Sequence, residues 1–198
     1  MKKFFLLISS IIILFQGCTS REKKDDSTMS EKRMVAYLDR GKDLANKAQK
    51  ALGGQLIEAI SKGGVPYAVQ FCNIKAIPIT DSLSNEVNAN IHRVSDRPRN
   101  PENQANEHEN KYISQAKALL SSGEKVLPSI QRQNDIMVGY YPIITNPLCL
   151  QCHGKPNETI ANETWDALQK HYPKDKAFGY GPDEIRGIFV VEMPVSAK

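Results

Sequence analysis

Toward the last quarter of the chain stands the run Pro147-Leu148-Cys149-Leu150-Gln151-Cys152-His153-Gly154. Two thiols separated by two residues and followed at once by an imidazole constrain this chain more than any other stretch of it. The pattern is that of covalent attachment of a c-type haem, in which both sulfurs add to the haem vinyl groups and the histidine binds the iron. The spacing has a mechanical reason: two intervening residues set the sulfurs at the separation of the vinyls, and the next residue is delivered beneath the ring. Other chemistries use part of the pattern. A zinc site needs two more ligands in a second cluster, and the chain has no second Cys-x-x-Cys and no His-x-x-x-His. A thioredoxin-type dithiol wants a strand before it and a regular helix behind it, whereas Pro147 precedes this pair and Gly154 and Pro156 follow. A plain Cys149–Cys152 disulfide is the remaining alternative. The expectation is one covalent haem c on Cys149 and Cys152, with His153 as an axial ligand.

The N-terminus sets the compartment. Met1-Lys2-Lys3 is charged, Phe4 to Phe15 is almost unbroken apolar sequence, and Gln16-Gly17-Cys18 closes it. This is an export signal over residues 1–17, too short and wrongly flanked for a membrane span. A cysteine directly after glycine resembles the bacterial lipoprotein signal, in which Cys18 becomes the lipidated first residue of the mature chain. Ordinary secretion, with Cys18 discarded or free, is the other possibility. Residues 18–33 are polar, charged and without apolar periodicity, and read as a tether. The expected location is periplasmic or at the cell surface, held to the membrane through the lipid. A formal net charge of +4 from interspersed residues of both signs selects no partner, and export disfavours nucleic acid. Oligomeric state is left open.

Of four cysteines, lipid takes Cys18 and haem takes Cys149 and Cys152, which leaves Cys72. An unpaired thiol in an oxidising compartment is a liability unless it is buried or bound.

Residues 34–198 read as one domain. Leu38, Leu44, Ala48, Leu52, Leu56 and Ile60 form a helical stripe, interrupted at Gly53-Gly54 and stopped by Gly63-Gly64. A second helix begins at Val65-Pro66, with Ala68, Cys72, Ala76, Ile79 and Leu83 on one face, so that Cys72 points to the core. Pro78 is expected to kink or break it. Ile91 to Val94 is a short strand, followed by a proline-stiffened loop from Ser95 to Asn103. Asn106 to Ser122 is helical. Lys125–Ile130 and Asp135–Ile144 read as strands, the second running straight into a haem loop. Residues 158–171 form a short helix, and Ile188–Met193 a last β-branched strand. That order argues for α+β with a small antiparallel sheet.

Several residues are candidates for the site. Cys72, His92, His108, His171, Met137 and Met193 compete for the sixth iron position. For Cys72 the competing reading is a buried inert thiol; the histidines read as solvated or hydrogen-bonded, the methionines as core. Arg93, Arg97 and Arg99 crowd the stiff loop, either to neutralise a haem propionate or small anion or to pin the loop through Glu102 or Glu109. Tyr140 and Tyr141 either line the haem or alternate between core and surface. With no acid–base pair evident, no enzymatic activity is expected.

Together these segments resemble a known family, the single-haem, PAS-like c-type haem domain of cyanobacterial and other bacterial exported proteins. The resemblance rests on Phe71-Cys72-Asn73; Arg93-Val94-Ser95 with Pro98-Arg99-Asn100-Pro101-Glu102-Asn103 and Glu109; Tyr140-Tyr141-Pro142; the Cys149–Gly154 run; and Asp175-Lys176-Ala177, Gly179-Tyr180-Gly181 and Arg186-Gly187. Ala105 and His108 depart from the family's usual proline and aromatic. The resemblance implies a PAS-like antiparallel sheet flanked by an N-terminal helical pair, one covalent haem, His153 as one axial ligand and Cys72 as the other. It also implies a redox or small-ligand sensor. With no output module after residue 198, a separate protein partner is expected for the signal. A periplasmic c-type cytochrome passing electrons to a partner is the alternative.

Overall fold

The computed structural model describes residues 29–195. The signal segment, Cys18 and most of the tether therefore lie outside the described residues. From Glu31 to Val87 the chain is helical (α1), broken only at Gly63 and at Gly64, whose φ of 75° lies in the left-handed region. A straight helix of that length would reach about 85 Å. Instead the Arg40 guanidinium donates to the Val87 carbonyl at 3.5 Å across 47 positions, so α1 folds back on itself as two antiparallel arms. This is the expected helical pair.

The helix is not broken at two places where the sequence suggests an interruption. The helix runs through Gly53-Gly54, where each glycine costs only about 1 kcal/mol relative to alanine. It also runs through Pro78. The donor lost there would have served Ile74, which is 59% exposed, so water can take that carbonyl.

Four antiparallel strands follow: β1 (Asn90–Val94), β2 (Ser129–Gln133), β3 (Ile136–Ile144) and β4 (Ile185–Pro194), in the order β1-β4-β3-β2. The strand expected at Lys125–Ile130 sits further along, at β2. The hairpin turn fixes this register: Asn134, at φ 54°, reverses the chain and pairs Gln133 with Ile136. Between the sheet elements lie α2 (Glu107–Ser121), α3 (Pro147–His153) and α4 (Asn162–His171). Asn106 and Glu109 close a reciprocal capping box at the start of α2. The fold is thus α+β, an antiparallel sheet flanked by the N-terminal helices.

The sheet is covered on both faces. Ile91, Met137, Tyr141, Phe189, Val191 and Met193 meet α1, while Val94, Val138, Tyr140, Ile188 and Val190 meet α2. This is why β4 carries the unbroken apolar run Ile188-Phe189-Val190-Val191 at its middle. Each fully buried Ile, Val or Phe there contributes about 1.5–3 kcal/mol. The first arm touches the sheet through Tyr37, Gly41, Ala45 and Ala48, with the leucines at its margins, because small residues let the backbone lie close. Among the described residues no helix is long and apolar enough to cross a membrane.

Candidate functional site

The Cys-x-x-Cys-His run sits on a helix, α3, where the sequence suggests a loop. Thr145 anchors it: its hydroxyl donates to the Gly181 carbonyl at 2.7 Å and accepts from Glu184 N at 2.8 Å, fastening the end of β3. Asn146 then caps the helix, accepting from Cys149 N at 3.2 Å, and Pro147 stands in the first turn where its missing donor costs nothing. Gly154 ends it. A Cβ on Gly154 would lie 1.9 Å from Thr159 Oγ1 and 2.6 Å from the Leu150 carbonyl, which explains the glycine after the histidine.

Cys72, Cys149 and Cys152 are free thiols, with no disulfide among the described residues. Cys152 packs in the small core of Val69, Ile160 and Leu168, and Val69 shares a helix face with Cys72 one turn on. Burial pushes the Cys152 thiol up to about 11, against the pull of Arg99, and the Cys72 charge acts on it too. Burial likewise raises Cys72, opposed by Arg93 and Arg99. The fold therefore gathers Cys72, Cys152, Arg93 and Arg99, residues from three separate segments.

His153 is held from behind. Its Nδ1 lies 2.7 Å from the Ala177 carbonyl and 3.2 Å from Arg186 Nε. One ring nitrogen cannot donate to the first and accept from the second. The shorter contact to an obligate acceptor puts the proton on Nδ1, which leaves the Nε2 lone pair as the available donor to a metal. Burial, followed by Arg99 and Arg186, holds His153 well below the usual histidine range and keeps it neutral.

The arginines divide their work. Arg97 donates to the carbonyls of Lys176, at 3.2 Å, and Phe178. Arg99 pairs with Asp175 at 3.0 Å and donates to the Cys152 and Ala177 carbonyls. Neither uses Glu102 or Glu109: the Glu102 carboxylate accepts from the Asn100 side-chain amide at 3.1 Å, and the Glu109 carboxylate accepts from Asn106 N at 2.7 Å in the capping box of α2. The Arg93 side chain has no hydrogen bond or ion pair with any other described residue, although burial lowers its pKa and it faces Cys72 and Tyr172. Arg186 is brought down to about 10, chiefly by burial. Tyr180, 2% exposed, lies under the Arg97 and Arg186 guanidiniums at 4.6 and 5.5 Å, and its hydroxyl is buried without a partner.

Tyr141 is not brought to the thiols. Its hydroxyl donates to the Leu38 carbonyl at 3.0 Å and its ring belongs to the core under the first arm of α1. Tyr140 faces α2, its ring 5.4 Å from that of Tyr112. The two alternate between two cores, not between core and surface. Met137 and Met193 are fully buried in the core, and His92 lies 3.8 Å from Glu109 on the α2 side. Among the described residues no group of three or more His, Cys, Asp or Glu side chains gathers closely enough to hold a metal ion alone. The contributions of Arg186, of Asp175 and of the Ala177 carbonyl escape sequence reasoning. Only the clustering of Asp175-Lys176-Ala177 and Arg186-Gly187 in the family resemblance signals them.

The model of the Tll0287-like family matches residues 19–194. Among solved structures, the chain is similar to the cyanobacterial heme-protein Tll0287, with a TM-score of 0.56 at 15% sequence identity, covering 86% of this chain and 99% of that one. No curated protein matches.

Proposed function

Because the chain belongs to the Tll0287-like family, we propose that it binds one haem c through thioethers to Cys149 and Cys152 and serves as a redox or small-ligand sensor. The observation that carries this reading is the state of His153: Nδ1 is committed to the Ala177 carbonyl, and Nε2 is left as a neutral donor beside two free thiols. Arg93, half-buried and without a hydrogen-bond or ion-pair partner among the described residues, supplies the charge that a propionate carboxylate needs. The solved structure of a heme-protein with this fold supports the same reading.

When bound, haem supplies a one-electron iron couple. The chain's own residues do the rest. His153 Nε2 would hold the metal from α3, and Cys72, on giving up its thiol proton, would hold it from the second arm of α1. An anionic sulfur ligand favours ferric iron, so reduction would weaken the iron's hold on Cys72 and would release the second arm, a two-state element for a partner to read. Lipid on Cys18 keeps the domain at a membrane surface outside the cytoplasm. The role is binding and reporting, not turnover.

Mass spectrometry of the denatured, acid-extracted protein, made in a host that exports and matures c-type haem, tests the reading. One retained haem mass is expected; a colourless chain without that mass overturns it. A reduction potential well below those of methionine-ligated carriers, with slow electron exchange, separates the sensor from an electron-transfer cytochrome.

A further inference from the structure

Resting on the haem reading above, we propose that Arg99 is a positioning residue for His153, acting through the Ala177 carbonyl. Three bonds converge on its guanidinium. Nε pairs with Asp175 Oδ2 at 3.0 Å, and Nη2 donates both to the Cys152 carbonyl, in the peptide that leads into His153, and to the Ala177 carbonyl at 3.1 Å. That last oxygen is the one that receives the His153 Nδ1 proton. The same planar group thus grips the backbone before the imidazole and the acceptor behind it.

The acceptor is itself braced. Asp175 Oδ1 accepts from Ala177 N at 2.7 Å, and Lys176 N donates to the Pro98 carbonyl at 3.0 Å. Tyr180 N donates to the His153 carbonyl at 3.0 Å. Arg97 holds the carbonyls on either side, Lys176 and Phe178, but makes none of the bonds that reach His153. The ion pair of Arg99 and Asp175 is sheltered, with side chains only 13% and 6% exposed, so water does not compete for it. A metal-bound histidine owes its ring orientation and tautomer to what its other nitrogen meets. Here that partner is a loop carbonyl, and a loop carbonyl stays put only if something holds it.

Arg99→Lys is the discriminating variant. An ammonium keeps the charge and the Asp175 pairing but lacks the fork that reaches both carbonyls. The expected result is a holoprotein that retains its single covalent haem by mass, yet whose one low-spin ferric species splits, with a high-spin fraction and a shifted reduction potential. Where that variant does not accumulate, the charge-neutral pair Arg99→Gln with Asp175→Asn is read by the same spectra with the same expectation. Wild-type spectra and potential in a variant with intact haem mass overturn the proposal. So does a folded variant that has lost the haem mass, because Arg99 would then act in attachment and not on the imidazole. Absence of haem from the wild-type chain refutes the haem reading itself, a separate outcome.

Discussion

Asn73 donates its side-chain amide to the carbonyl of His171, 3.1 Å away, and so fastens the turn of α1 that carries Cys72 to the end of α4. The bond is exposed, and near it Val69 of α1 and Leu168 of α4 share a small apolar core with Ile160. In the reading proposed above this turn is released on reduction, and an exposed hydrogen bond is a contact that such a release can break.

Asn73→Ala should therefore cost about 1 kcal/mol of stability, the net worth of one hydrogen bond. Denaturant unfolding of the haem-free protein measures it. In the holoprotein the same variant should hasten loss of the Cys72 ligand on reduction, followed by stopped-flow absorbance.

Cys72→Ala should abolish the low-spin thiolate spectrum of the ferric protein while leaving the haem mass in place. An unchanged low-spin spectrum would assign the sixth position to another group and return Cys72 to a buried thiol.

Arg93 has a half-buried charge with no hydrogen-bond or ion-pair partner among the described residues. Arg93→Met keeps the stem and removes the charge, so the haem-free protein should gain on the order of 1 kcal/mol. The haem-loaded protein should lose stability instead, because a propionate is left uncompensated. Paired melting curves of the two forms check the opposite signs.

Tyr112 donates its hydroxyl to the Leu127 carbonyl at 2.9 Å, and burial pushes its pKa up from 10.0 to about 12. The folded state thus keeps a proton that the unfolded state releases above 10.0. Its contribution to stability is whole below that pH and is lost progressively as pH rises through about 12. Tyr112→Phe should flatten this alkaline limb of a stability–pH curve measured by urea unfolding.

A Cβ at Gly41 would lie 2.0 Å from the Tyr141 hydroxyl. Gly41→Ala should cost about 1–3 kcal/mol through overpacking, and less in a Tyr141→Phe background, where the clashing atom is gone. A double-mutant cycle on thermal unfolding reads this coupling.

How much of this was legible beforehand varies by residue. The motif, the helical pair and its turn at Gly63-Gly64, the helix α2 and the final strand all follow from local chemistry: spacing and chain reversal act within a few residues. The inward face of Cys72 was visible in the same way, from periodicity. The roles of Arg93, Arg99 and Tyr141 were not. All three could be proposed for the haem, yet only the packing showed that Tyr141 is turned into the first-arm core and that Arg99 is taken up by Asp175 and two carbonyls.

By itself, then, the sequence determined the chemistry this chain can carry: two thiols and an imidazole at attachment spacing, and a further thiol at Cys72. Which groups surround that imidazole was decided by tertiary structure alone. Its partner is the Ala177 carbonyl, and a backbone oxygen is the same at every position of a sequence. Only the folding of distant segments onto one another singles it out, here through the docking of the Ser95–Asn103 loop on residues 175–178.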